Sequence, residues 1–321
     1  MKVFLFGAGA TAGTIPKKVP IAKGFGAILN KRGGLKAFPA IKKAVRHLKP
    51  SERDLSEFSL EDVWTTFDFY AKLQGALPVK KPWDNESPDI KRAILRVYGK
   101  RCDRLAKGLP IDASYTLGQL LKSDVKPGDI LVSFNYDTLV ESVAHRFGHG
   151  LSAANSGCTS RKKAVLLSKP HGSVSWTIDL NKRTVKWHDN GSPIRISLSE
   201  KEVMKRREPL VLGTVPIKSE LIREVQCHIP EIYSVVTCQW KALLDALIKA
   251  DTLVIVGYSF PREDLYGRFM FKEAMRQRKT KLNIQYFELL DKAPEISKEI
   301  VSVFGSKITC LEYMGKVEPP R

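Results

Sequence analysis

Residues 252–289 read TLVIVGYSFPREDLYGRFMFKEAMRQRKTKLNIQYFEL. Thr252 to Val256 is the most apolar short run of the chain, and Leu282 to Leu289 is a second run rich in strand-forming residues. Between them, Arg262 to Arg276 has the spacing and length of a helix. Two strands joined through a helix run parallel, because an antiparallel pair needs only a hairpin. The unit repeats toward the C-terminus as a helix over Pro294 to Val303 and a strand over Lys307 to Leu311. Toward the N-terminus, Lys2 to Phe6, Ile130 to Phe134 and Ala164 to Leu167 are further apolar runs. Helices are predicted over Pro39 to Leu48, Leu60 to Leu77, Pro88 to Leu105, Thr138 to Phe147 and Ile232 to Lys249. Apolar strands alternating with helices of this length specify an α/β fold with a doubly wound, mostly parallel sheet.

Two segments depart from that alternation. Residues 39–110 are read as an inserted helical lobe, in which Leu60, Val63, Phe67, Tyr70 and Leu73 recur at helical spacing as packing positions. Val174 to Ile178 and Thr184 to Trp187 alternate polar and apolar residues around Asn181-Lys182. They predict a β-hairpin, followed to residue 230 by charge-rich irregular chain, so 173–230 reads as a second insertion.

The chain has 321 residues with 43% hydrophobic composition, enough to bury a full core, and no apolar run approaches the ~18 residues of a membrane span. The apolar N-terminal run is too short for a signal peptide, and five widely spaced cysteines with no CxxC pair fit reduced thiols, so a cytoplasmic protein without a structural zinc site is expected. Fifty-three Lys and Arg against 34 Asp and Glu give a net charge of +19. The first 50 residues hold nine Lys, two Arg and no acid. Such a surface attracts polyanions or simply solvates the protein.

In parallel sheets ligands bind beyond the carboxyl ends of the strands. Four such ends carry chemistry. Gly7-Ala8-Gly9-Ala10-Thr11 is a strand-to-helix turn whose bare backbone suits a diphosphate or simply makes a tight turn, and its GxGxxxG spacing and the lack of a nearby carboxylate count against an ordinary nicotinamide dehydrogenase. Asn135 and Asp137 offer an amide and a carboxylate to a carboxamide, a sugar hydroxyl or a water, while Asp137 equally suits a helix cap. His171, on the turn after Lys169-Pro170, is placed for general base work near neutral pH. The other histidines (47, 145, 149, 188 and 228) show no mutual metal-ligand spacing. Gly257 and Ser259 present bare backbone and a small hydroxyl to a phosphate or ribose.

Taken in order, these segments resemble the sirtuin superfamily, and in particular its zinc-free, sirtuin-like members of the bacterial and phage-defence type. The residues carrying the resemblance are Gly7 to Gly13, Phe134 to Glu141, Lys169 to Trp176 and Val256 to Pro261, so that it spans about residues 1–315. It implies a Rossmann-like domain binding NAD as substrate, with Gly7, Ala8, Gly9, Ala10 and Thr11 on the diphosphate. Asn135 and His171 match the catalytic pair, Asp137 the nicotinamide-carboxamide contact, and Gly257 with Ser259 the phosphate and ribose turn. Glu288 stands where sirtuins carry an asparagine-bearing ending, as a candidate acceptor for ribose hydroxyls. Gly13-Thr14-Ile15-Pro16-Lys17-Lys18 replaces the deacylases' Gly-Ile-Pro-Asp-Phe-Arg, and no zinc ribbon is present, which leaves protein deacylation the least favoured outcome. The expectation is a metal-free NAD hydrolase acting as a defence or toxin-type effector. The alternative is a subunit that binds nucleic acid or a partner, with a regulatory or vestigial nucleotide pocket. An activating protein or nucleic-acid partner and a homo-oligomer are both compatible with the sequence.

Overall fold

The computed structural model describes residues 1–15, 24–31, 35–48, 58–73, 87–99, 107–112, 114–153, 164–179, 184–187, 207–211 and 230–319. Among them the strands are β1 (Lys2–Phe6), β2 (Ile130–Ser133), β3 (Leu151–Ala153), β4 (Val165–Ser168), β5 (Gly172–Asp179), β6 (Thr184–Trp187), β7 (Arg207–Val211), β8 (Thr252–Val256), β9 (Leu282–Phe287) and β10 (Ile308–Gly315). Seven of them form one sheet in the order β10-β9-β8-β1-β2-β4-β3. Every pairing in it is parallel. The chain order reverses at β1, which lies between β8 and β2, and such a switch point opens a crevice at the strand ends.

Parallel strands are covered on both faces, and the alternation within β1 shows how. Phe4 and Phe6 point into a core with α1 (Ala8–Thr14), α2 (Phe25–Lys31), α3 (Pro39–Leu48), α4 (Leu60–Leu73) and α5 (Ser87–Ile94). The 39–110 helices thus share one continuous core with the sheet. Val3 and Leu5 point into the opposite core, built with α8 (Pro230–Lys249), α9 (Leu265–Gln277) and α10 (Ala293–Phe304). Two further helices, α6 (Thr116–Gln119) and α7 (Leu139–Arg146), pack into the same core as the first group.

Buried polar groups fix the framework. Asp129 accepts from the backbone N–H groups of Lys2 (2.7 Å) and Lys126 (3.0 Å), which ties the turn before β2 to the start of β1. Arg278, 2% exposed, donates to the carbonyls of Leu247, Ile248 and Ala250 and so satisfies the C-terminal end of α8, whose last carbonyls have no partner within the helix.

The predicted strands and helices recur with shifted ends. α9 begins at Leu265, three residues after the predicted Arg262, and β10 runs on to Gly315. The hairpin forms as β5 against β6, but in a separate antiparallel sheet with a third strand, β7. β7 was not legible because Arg-Glu-Pro-Leu-Val has no alternation and contains proline, which only a sheet edge tolerates. β3 is three residues long and sits behind Gly150, too short to show a pattern. Asn181, Lys182 and the parts of the predicted helices at 74–77 and 100–105 lie outside the described residues. Among the described residues, Cys238 and Cys310 are free thiols, and no helix is long and apolar enough to cross a membrane.

Candidate active site

The strand ends singled out in the sequence belong to β8, β1, β2 and β4, which are neighbours in the sheet. At its centre two glycine turns interlock. Gly7 N–H donates to Val256 (3.0 Å), and Gly9 N–H donates to Gly257 (2.9 Å). Gly257 has φ of +59°, and a Cβ there would lie 2.3 Å from the Ala10 nitrogen, while one on Gly7 would lie 2.5 Å from the Gly257 oxygen. The missing side chains therefore serve first to let one turn approach the other. With Ala10 N–H donating back to Gly7 (3.0 Å), three N–H groups of the glycine-rich turn are already engaged within the protein. Gly257→Ala combines a left-handed backbone with a backbone clash, and a loss of about 2–5 kcal/mol in unfolding free energy is expected. Chemical denaturation measures it, and a loss below about 1 kcal/mol would contradict the interlock.

Beside this interlock runs a buried polar chain. Asn135 Nδ2 donates to the Gly7 carbonyl (2.8 Å) and to Thr11 Oγ1 (3.0 Å), and the Thr11 hydroxyl donates to Asp137 Oδ2 (2.9 Å). Both Asn135 amide hydrogens are thus in use, and the atom left for a ligand is Oδ1, an acceptor. Asp137, 2% exposed, also accepts from Leu139 N–H, the first of α7, through Oδ1 (2.9 Å), but it does so from one residue before the N-cap, which is Thr138 rather than Asp137 as one sequence reading had it. A carboxylate has further acceptor sites beyond these two bonds.

His171 is 3% exposed and lies across the end of β4 in a ring cage. The ring centroid of Phe134 is 4.8 Å away, edge-on, with Trp240 at 5.8 Å and Tyr136 at 6.4 Å. The side chains on either side of Asn135 in sequence thus both touch His171, which places the amide and the imidazole at adjoining strand ends. His171 Nε2 stands 3.3 Å from Oδ2 of Asp264, an ion-pair separation without the alignment of a formed hydrogen bond. The same oxygen accepts from the Tyr258 hydroxyl (2.8 Å), and Oδ1 accepts from Gly267 N–H (3.1 Å). Burial, and then the Asp264 charge, push the Tyr258 phenol well above its ordinary range, so it remains a donor. Sequence reasoning placed Asp264 inside a helix and missed it. Its position one residue before α9, with the N–H three residues on as partner, is the N-cap pattern that would have found it.

A second missed pair fastens the turn after β4 to the turn after β2 and to α7. Lys169 and Glu141 form a salt bridge of 2.7 Å with both side chains fully buried, and the Lys169 ammonium also donates to the Asp137 carbonyl. Lys169 N–H donates to Gln239 Oε1 (2.9 Å), anchoring the His171 turn to α8. Burial raises the Glu141 carboxyl above its usual range, against the opposing pull of Lys169.

Ser259 is exposed on the Gly257 turn. That turn is held in shape at Phe260, which has φ of 51° and is 1% exposed. Glu288 follows β9, one strand beyond β8, and its Oε1 accepts from Leu289 N–H (2.9 Å). It therefore stands apart from the Asn135 chain, while Gly7 to Thr11, Asn135, Asp137 and Gly257 are brought together. Among the described residues no cluster of His, Cys, Asp and Glu could hold a metal ion. Pro16, Lys17, Lys18, His188 and His228 lie outside the described residues.

No protein-family model matches this sequence, and no curated protein matches it. Among solved structures the chain is similar to Sir2 in complex with the inhibitor EX-527, 2'-O-acetyl-ADP-ribose and a deacetylated p53 peptide, at 11% identity, covering 98% of this chain and 87% of that one, with a TM-score of 0.38. It is also similar to a sirtuin structure described as the structural basis of sirtuin substrate affinity, at 12% identity, covering 98% of this chain and 88% of that one, with a TM-score of 0.37. Likeness this slight bears no functional weight.

Proposed function

We propose that this chain hydrolyses NAD to nicotinamide and ADP-ribose at the carboxyl ends of β8, β1, β2 and β4. The observation that carries the reading is the juxtaposition of the buried Asn135–Thr11–Asp137 chain with the buried His171–Asp264 pair at adjoining strand ends. Burying an amide, two carboxylates and an imidazole around one sheet edge is costly for stability, and such costs are concentrated at functional sites. The ordered motif resemblance supplies the substrate class.

The glycosidic bond of NAD joins a ribose to a positively charged, good leaving group, so its cleavage passes through an oxocarbenium-like state that needs little acid assistance. The bond electrons go to the nicotinamide nitrogen and cancel its charge. Asn135 Oδ1, the free acceptor, orients the incoming water. His171 takes the water's proton as the new C–O bond forms and later returns it to solvent. Asp264 holds the imidazole in place and stabilises the imidazolium, and Tyr258 and Gly267 hold Asp264. Asp137 accepts from the nicotinamide carboxamide, Gly7 to Thr11 with Gly257 and Ser259 accommodate the diphosphate and ribose, and Glu288 accepts from the adenosine ribose. No step calls for a metal.

Chromatography of NAD incubated with the purified protein and with Asn135→Ala, each with and without added nucleic acid, tests this reading. Wild-type protein is expected to give equimolar nicotinamide and ADP-ribose in at least one condition, and the variant to give about 10²-fold less, as for loss of one positioning group in a buried site. Intact NAD in both wild-type conditions, or equal turnover by the variant, would overturn it.

A further inference from the structure

Positive charge concentrates on one helix. α3 carries Lys42, Lys43, Arg46 and His47, spaced three and four residues apart, so that they share one face. With Pro39 they line a depression of about 370 Å3, and these are its lining among the described residues. Its opposite face, Ile41, Ala44 and Val45, is fully buried in the core. α3 has no acidic residue, nor does any of the first 50 positions. Lys42 and Arg46, four residues apart on the same face, carry like charge, which works against the helix that bears them. Together they form a positively charged patch that attracts polyanions.

We propose that the α3 groove docks the phosphate backbone of a nucleic acid. A duplex carries about one negative charge per 1.7 Å of its axis, so the ~6 Å rise from Lys42 to Arg46 lies alongside several phosphates. A bilayer surface fits less well. A membrane-bound helix inserts its apolar face, and here that face is committed to the core. The groove is separate from the strand-end site, so the inference does not rest on NAD cleavage.

Fluorescence anisotropy of labelled single-stranded and duplex DNA of about 30 nucleotides, titrated with the full chain at several salt concentrations, tests it. Three phosphate contacts predict a slope of about −2.7 in log affinity against log salt. K42Q/K43Q/R46Q should flatten that slope by about 2.7 and weaken binding at least about ten-fold near 0.1 M salt. The single variants K42Q and R46Q should each remove about one unit of slope, which keeps the test informative should the triple variant misfold. K272Q/K279Q/K281Q removes the same charge from exposed positions elsewhere and should stay within about two-fold of wild type. Equal losses in both triple variants would reduce the effect to net charge and overturn the assignment. So would unchanged binding in the α3 variants, or binding to phosphatidylserine vesicles without binding to DNA. Nicotinamide release measured on the same samples reports separately on the strand-end reading.

Discussion

Replacing His171 by alanine is expected to lower the rate of nicotinamide release by roughly 10² to 10⁴, the usual worth of a positioned general base. The ring sits among Phe134, Tyr136 and Trp240, so its loss also opens a small void, and thermal unfolding must accompany the kinetics. Asp264→Asn separates the two effects, because it keeps the size of the side chain and removes the charge beside Nε2. Under the proposed mechanism it should lower kcat with little change in KM, as for a group that acts through His171 rather than on substrate. Full activity in His171→Ala would remove the imidazole from the mechanism. Activity lost in His171→Ala but unaffected in Asp264→Asn would leave the base in place and dismiss its partner.

Lys169→Met should destabilise the protein by about 3–5 kcal/mol near neutral pH, because it strands the Glu141 carboxylate in the interior. The loss should depend on pH in a definite sense. Burial already lifts the Glu141 carboxyl above its unfolded value, with Lys169 opposing. A carboxyl raised in the folded state favours folding while protonated, and that contribution fades as pH rises from the unfolded value through the folded one. Without Lys169 the folded value climbs further, so the difference between variant and wild type should shrink as pH falls and Glu141 takes up its proton. Denaturation curves across the acid to neutral range measure this, and a difference independent of pH would mean that the pair does not fasten the turns after β2 and β4.

The fold was legible because its evidence is local. Five-residue apolar runs such as Lys2 to Phe6 and Thr252 to Val256, each closed by glycine and separated by helical stretches, dictate a parallel sheet before any coordinates exist. That the residues singled out in the sequence stand at strand ends was legible for the same reason, since the residue after a buried parallel strand must lie at the sheet's carboxyl edge. What stayed hidden depends on pairing across sequence distance. Nothing local joins Glu141 to Lys169 or His171 to Asp264, and each of these residues has an ordinary reading as helix, turn or cap. The glycines show the same limit. Their bare backbone was visible in the sequence, but that Gly257 needs it against Gly9 and Ala10 follows only from the two turns meeting. β7 and β3 escaped because a proline-bearing five-residue strand and a three-residue strand carry no period to read.

The account's central claim is one of position, and a crystal structure of Asn135→Ala grown with NAD tests it most directly. The claim predicts the intact dinucleotide across the ends of β8, β1 and β2, its nicotinamide ribose between position 135 and the His171 ring, and its carboxamide within hydrogen-bonding reach of Asp137. NAD bound elsewhere on the molecule, or no NAD bound at saturating concentration in a correctly folded crystal, would contradict it.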